Sequence, residues 1–341
     1  MIKFLIQKEF LQIRRNSFLP RLIIAFPIVM MCVMPWVMNM EVKNIRVDVV
    51  DIDRTSTSQQ MVHKIEASNY FIFNDQKATF QEALKDIETS KADVILEIRD
   101  GKYLIASNAV NGTKGSMGSA YLSQIITDNI NNGNNLVLYN KNLNYKVYMI
   151  PALFAILMML MTGFLPALNI VGEKEAGTIE QINVTPVSKW VFILAKLIPY
   201  WLIALFLITV CLLLSWLVYG ITCQGPIILI YLLAMLLALF FSSLGLIISN
   251  YSDTMQQAIF VMWFFVVCML LLSGLFTPTR SMPHLAYLTT YINPMHYFID
   301  AIRTIFVRGG DFHSIAHQVF SLVGLSSLMA IWAVKSYKKN Y

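Results

Sequence analysis

Apolar positions gather into runs of about twenty residues, at roughly 20–40, 147–171, 190–219, 226–249, 256–276 and 314–334. Each run is long enough to cross a hydrocarbon core about 30 Å thick. A long polar stretch, Glu41 to about Lys146, separates the first run from the five that follow, and the later loops are short. The pattern predicts an α-helical polytopic membrane protein with six transmembrane helices and a folded insertion between spans 1 and 2. Pro27 and Pro35 interrupt the first run, which a membrane helix tolerates better than a soluble one. That run does not read as a cleaved secretory signal, being long, starting well inside the chain and lacking a small-residue cleavage site.

Within the insertion, 41–146, the period changes. Ile45–Val50 alternates like a strand, and Phe71–Phe73, Ala92–Ile98 and Tyr103–Ala106 are three more. An Asp100-Gly101 turn suits a hairpin between the last two. Ser56 or Ser58 caps a helix running through Lys64, Thr79–Ser90 is a second helix, and a long polar helix spans about Gly115 to Leu138. Strands alternating with helices predict a small α/β domain. Gly112–Gly118 lacks the GxxxxGK[ST] spacing of a phosphate loop and reads as a glycine-rich turn. Asp51 and Asp53 read as turn and cap residues rather than paired catalytic acids.

Composition supports the membrane reading: 57% of residues are hydrophobic and only 13% charged, about half the charge of a soluble domain. The formal net charge of +6 comes from topogenic cations, with no basic patch interleaved with aromatics, so no nucleic-acid partner is expected. Lys3, Lys8, Arg14, Arg15 and Arg21 near one end and Lys335, Lys338 and Lys339 near the other put both termini in the cytoplasm. This places the insertion outside, together with Arg280, Arg303 and Arg308. The leader, 1–19, holds an amphipathic helix, Met1–Ser17, with Ile2, Leu5, Ile6, Phe10 and Ile13 on one face, suited to the inner membrane interface and its lipid headgroups. Glu9 falls within that apolar face and is costly there unless paired.

Cys32, Cys211, Cys223 and Cys268 lack metal-ligand spacing and read as small apolar fillers. His313 and His317 stand one turn apart, with His284 or His296 as a conceivable third ligand, but read as interface histidines. The membrane runs carry no Asp or Glu away from their ends, and Lys196 is expected to snorkel to the inner surface. Ion-coupled carriers need mid-depth charge or broken helices. With no nucleotide-binding motif in the chain either, a partner must supply the energy.

The segment from Asn169 to Ser188 between spans 2 and 3 is the most specific feature. Thr178-x-x-Gln181 fits a capping box, so a short helix is expected to start at Thr178 after a glycine hinge, with Pro186 ending it. Glu173, Lys174, Glu175 and Glu180 are expected to face the cytosol from this elbow.

The run from Gly172 to Tyr200, GEKEAGTIEQINVTPVSKWVFILAKLIPY, is similar to the signature segment of ABC-2 type transporter permeases. Lys8-Glu9 with Arg14-Arg15, Asp51-x-Asp53-x-x-Ser56, Tyr148-x-Ile150-Pro151 and Ile292–Tyr297 match other elements of that family in order. The resemblance covers essentially the whole chain, within a subgroup resembling bacterial drug-efflux permeases with a large extracytoplasmic domain. Ile182 in place of the usual leucine, and Ala195-Lys196 in place of Gly-Lys, are mild departures. The resemblance implies an ABC-2 or type V exporter-like fold in which 147–341 holds spans 2–6, 172–188 a coupling helix and 277–311 an outer re-entrant segment. It implies that Glu173, Glu175, Gly177, Thr178, Glu180 and Gln181 engage an ATPase, and that Lys8, Glu9, Arg14 and Arg15 belong to its interfacial helix. Pro278, Asn293, Pro294 and Tyr297 would form an outer gate, and Phe264, Phe265 and Met269 would line the path.

The chain itself is then expected to hold no cofactor, with ATP and Mg bound by an ABC ATP-binding subunit. A second copy or a paralogous permease completes the transporter, and a periplasmic adaptor is a further partner the family allows. The competing expectation is a membrane-anchored receptor or scaffold acting through 41–146.

Overall fold

The computed structural model describes residues 2–37, 44–68, 70–108, 112–131, 145–179, 188–275, 279 and 282–337. In chain order its elements are α1 (Ile2–Arg15), α2 (Leu19–Val37), β1 (Ile45–Asp51), α3 (Ser56–Glu66), β2 (Phe71–Gln76), α4 (Phe80–Glu88), β3 (Val94–Arg99), β4 (Lys102–Ser107) and α5 (Gly112–Asn131). They continue with α6 (Tyr145–Met159), a π-helical turn (Leu160–Phe164), α7 (Leu165–Glu175), α8 (Lys189–Tyr219), α9 (Ile227–Tyr251) and α10 (Met255–Leu271). The last are α11 (His284–Thr290), α12 (Pro294–Arg308), a 3-10 turn (Phe312–Ile315) and α13 (Ala316–Ser336). Two compact units result: Asn39–Lys141, and Met1–Met38 together with Asn142–Tyr341.

In the Asn39–Lys141 unit the described strands form a sheet of order β2-β1-β3-β4, with β1 parallel to β2 and β3, and β3 antiparallel to β4. Period-two alternation sorts the side chains. Ile45, Val47 and Val49 pack with Val94, Leu96 and Ile98 under Met61, Val62 and Ile65 of α3 and Leu122 and Ile126 of α5. Val50 and Ile95 point the other way, onto Ala83 of α4. The Asp100-Gly101 turn has both residues at positive φ, 52° and 68°, as a two-residue hairpin turn of the mirror-image type requires. Asp53 clamps it, accepting from the Asp100 and Gly101 amides at 2.8 Å each.

Two expectations change here. The cap of α3 is Thr55, whose Oγ1 accepts from the Ser58 amide at 3.1 Å; Ser58 instead donates to Asp51. The glycine-rich stretch is the start of α5, not a turn. A Cβ at Gly118 would stand 2.6 Å from Val94 Cγ2, so glycine lets that helix lie directly on the sheet.

In the other unit, five helical segments among the described residues are long and apolar enough to cross a membrane: Leu19–Val37, Lys146–Glu175, Lys189–Tyr219, Ile227–Tyr251 and Phe312–Ser336. A sixth apolar helix, Met255–Leu271, is shorter, at 17 residues. α6 is buried from Met149 to Met159, which its apolar residues on all sides permit. α9 packs against α7, α8, α12 and α13 and is the hub of the bundle. Close approach of α9 to the π turn depends on small residues, since a Cβ at Gly245 would meet Gly163 O at 2.5 Å. Thr162 Oγ1 donates back to Met158 O within that turn, a bond that competes with regular helix.

Candidate functional site: a buried charge cluster behind a helix elbow

Three helical spacings converge on one point. Glu9 and Gln12 lie three apart on α1, Asn169 and Glu173 four apart on α7, and Lys196 and Tyr200 four apart on α8, so each pair shares a helix face. α1 packs along α8, and α7 touches α8, which brings the faces together. Lys196 Nζ stands 2.8 Å from Glu9 Oε1 and 2.6 Å from Glu173 Oε2. Neither contact has the geometry of a directed hydrogen bond, so charge rather than direction holds them. Lys8 Nζ bridges the same two acids, lying 3.0 Å from Glu9 Oε1 and in close contact with Glu173 Oε1. Asn169 Nδ2 donates to Glu9 Oε2 at 2.9 Å, and Gln12 Nε2 donates to Asn169 Oδ1 at 2.9 Å.

Two ammonium and two carboxylate groups therefore neutralise one another. Lys196 is 1% exposed, Glu9 2% and Glu173 5%, so each would be untenable alone in this setting. Lys8 sits at the edge. Its burial disfavours the charged form, but the hydrogen bond to Glu173 and the field of Glu9 outweigh that, and its pKa is raised. Buried ion pairs are weak stabilisers against apolar packing, and their best-attested use is to set register. Here the register is that of α1 against the ends of α7 and α8.

These contacts correct two expectations. Lys196 does not snorkel; it is consumed by Glu9 and Glu173. Glu173 does not face solvent, because helix geometry turns it toward α1 and α8 while Glu175 stays exposed. The expected loop from Asn169 is also helical through Glu175, continuous with span 2. Beyond it Gly177 takes a left-handed φ of 69°, with open space where a Cβ would be. Thr178 Oγ1 donates to Glu173 O at 3.2 Å, and Thr178 and Ile179 are helical, as a helix start at Thr178 requires. Glu180 and Gln181 lie outside the described residues. Arg14 and Arg15 are exposed at the last turn of α1, where cations complement the helix dipole.

The elbow has a second attachment that the sequence did not announce. Lys174 Nζ donates to Ser252 O at 2.9 Å and pairs with Asp253 at 2.8 Å. Glu175 Oε1 accepts from the Met255 amide at 2.7 Å, satisfying a free donor in the first turn of α10. Glu173, Lys174 and Glu175 thus tie α7 to α1, α8 and the α9–α10 turn within three consecutive residues.

The family model described as ABC-2 family transporter protein matches residues 17–335 of this chain. The chain belongs to the ABC-2 transporter family. Its relatives include an Escherichia coli (strain K12) protein named "Probable multidrug ABC transporter permease YbhR", 23% identical over 359 residues and 98% of each chain. Another from the same strain, "Probable multidrug ABC transporter permease YbhS", is 23% identical over 337 residues, covering 90% of this chain and 89% of the relative. A third, "Inner membrane transport permease YhhJ", is 24% identical over 239 residues, covering 65% and 64%. Apolar helices and permease relatives together make this a multi-pass membrane permease, and the family implies an ATP-binding partner.

In this permease the described residues expected at an outer gate form a clasp between helices. Asn293 Oδ1 caps α12 by accepting from the Met295 amide at 3.0 Å, and its Nδ2 donates to Met269 O at 2.7 Å, joining α12 to the end of α10. Pro294 occupies the first turn of α12, and Tyr297 donates to Tyr291 O at 3.1 Å; all three residues are buried. Pro278 lies outside the described residues. Phe264, Phe265 and Met269 do not share one surface. Phe264 is 64% exposed beside Phe260 and Trp263, while Phe265 and Met269, four apart, turn into the bundle core.

Proposed function

We propose that this chain is the permease subunit of an ABC-2 exporter, moving substrate outward across the cytoplasmic membrane with ATP hydrolysed by a separate subunit. The observation that carries this is the tethering of α1, α8 and the α9–α10 turn to three successive residues at the end of α7. A force applied to the elbow is delivered to all of them at once. In this reading α10 is also a span, the fifth of six in chain order, both termini are cytoplasmic and 41–146 is extracytoplasmic. Two permeases, identical or paralogous, meet with two ATPases bearing ATP and Mg. Glu175 to Gln181 form the seat for the ATPase, with Glu173 anchoring it from behind, α1 lies in the inner interface, and the α11–α12 region forms the outer gate. Phe264 lines the dimer-interface path and Phe265 and Met269 back it. The relatives named as multidrug permeases, together with the apolar bundle, favour amphiphilic substrates.

The test is reconstitution of the permease with its ATP-binding subunit in vesicles loaded with an amphiphilic dye. Glu175→Lys removes the acceptor for Met255 and places a cation beside Lys174. The variant should insert and remain monodisperse while hydrolysis no longer drives dye movement. Fully coupled export by the variant would remove the elbow from the mechanism. A receptor or scaffold role predicts instead that no ATPase co-purifies and that 41–146 suffices for activity.

A further inference from the structure

The Asn39–Lys141 unit has a cavity of about 490 Å³, within the range that holds small ligands. Its place follows from topology. The chain leaves β1 through α3 on one face of the sheet to reach β2, then returns through α4 on the other face to β3, on the far side of β1. Neighbouring strands β1 and β2 thus send their connections to opposite faces, and a crevice opens between their carboxyl ends. Asp51, which ends β1, and Gln76, which ends β2, both line the cavity, joined by Arg54 before α3 and Gln59 within it.

The chemistry of the lining is decided by what is already used. Asp51 accepts from the Arg54 amide at 2.9 Å and from Ser58 Oγ at 2.7 Å. Lys77 is held between Asp75 and Asp86 at 2.8 and 3.0 Å. Glu66 pairs with His63 at 3.2 Å. Among the described residues, the side chains of Arg54, Gln59 and Gln76 make no hydrogen bond or ion pair, and all three are exposed at the cavity. The side chains left without a partner are therefore one guanidinium and two carboxamides, beside the carboxylates of Asp51 and Glu66, which are held by hydrogen bonds within the unit. A planar guanidinium offers paired N–H donors that match a carboxylate or phosphate. Arg54 also holds φ at 50°, where glycine or asparagine would be less strained, so the backbone gains nothing from arginine there.

We infer that this crevice binds a compact solute bearing an oxyanion, with Arg54 as its counter-charge and Gln59 and Gln76 as hydrogen-bonding partners.

The full chain in lipid nanodiscs should be titrated with citrate, inorganic phosphate and, as a cationic control, choline. Hydrogen exchange over 51–59 and 76–78 reports occupancy, and melting temperature reports folding. Saturable protection by citrate or phosphate is expected, and whichever protects identifies the anion class. Arg54→Gly should weaken it at least tenfold without lowering the melting temperature, because glycine suits the left-handed backbone. Arg54→Lys, which keeps charge but loses the fork, should weaken it several-fold, and Gln59→Ala provides a second variant independent of that backbone. No protection by either anion at roughly 10 mM, well above a millimolar Kd, overturns the site. So does equal protection in Arg54→Gly, or protection by choline matching that of the anions.

Discussion

Replacing Lys196 by methionine takes one ammonium from the centre of the charge cluster while keeping a side chain of similar length. Glu9 and Glu173, 2% and 5% exposed, would then share only Lys8 at the edge of the site. Removing one partner of a buried pair costs on the order of 3–5 kcal/mol, mostly because a carboxylate is left uncompensated. For a domain of roughly 150–250 residues, each kcal/mol shifts the melting temperature by about 2–4 °C, so a fall of ~6–20 °C in detergent is expected. Lys196→Met combined with Glu173→Met removes a cation and an anion together and leaves Lys8 paired with Glu9. The double variant should recover more than half of the loss, since the energy lies in the mismatch rather than in the pair. Thermal melts of the parent, both single variants and the double variant complete the cycle. A single variant melting within 2 °C of the parent, or a double variant showing the plain sum of two losses, would refute the cluster as a coupled unit.

Gly245→Ala should cost ~1–3 kcal/mol, read as a lower melting temperature, because its Cβ would meet the Gly163 carbonyl, backbone that cannot step aside. Gly177→Val should leave the bundle intact but strain the left-handed residue after α7 and reduce ATP-driven transport, whereas Gly177→Asn should be milder. Asp48 is fully buried, and burial lifts its carboxyl pKa above 3.8, opposed by the Asn74 amide hydrogen bond. A raised carboxyl means folding takes up a proton, so its contribution improves as pH falls through the raised value toward 3.8 and is lost above it. Asp48→Asn should therefore stabilise the α/β unit at pH 7 and flatten its gain on acidification, as scanning fluorimetry from pH 7 down toward 3.8 can check.

Much of the architecture was legible in the chain because it rests on local periodicity. Every strand expected in the α/β unit formed within two residues at its start and three at its end. Helix starts were less legible: Thr55 displaced Ser56 as a cap because Ser58 is drawn to Asp51, a contact across the β1–α3 connection. The charge cluster left separate traces, namely an acid on the apolar face of α1, an amide and an acid four apart on α7, and one lysine in an apolar span. Each looked like a local irregularity. Read together as buried charges that cannot stay single, they would have pointed to one another.

Sequence alone determined which segments are apolar enough to enter a membrane, where the chain departs from that pattern to build a sheet, and to which transporter family it belongs. Those properties depend on composition and on residues within a turn or two of each other. Tertiary structure alone decided that Lys8, Glu9, Glu173 and Lys196 meet, that Glu175 caps α10, and that Phe264 parts company with Phe265. Partners as far apart in sequence as Glu9 and Lys196 are chosen by how helices pack, and no spacing along the chain encodes that choice.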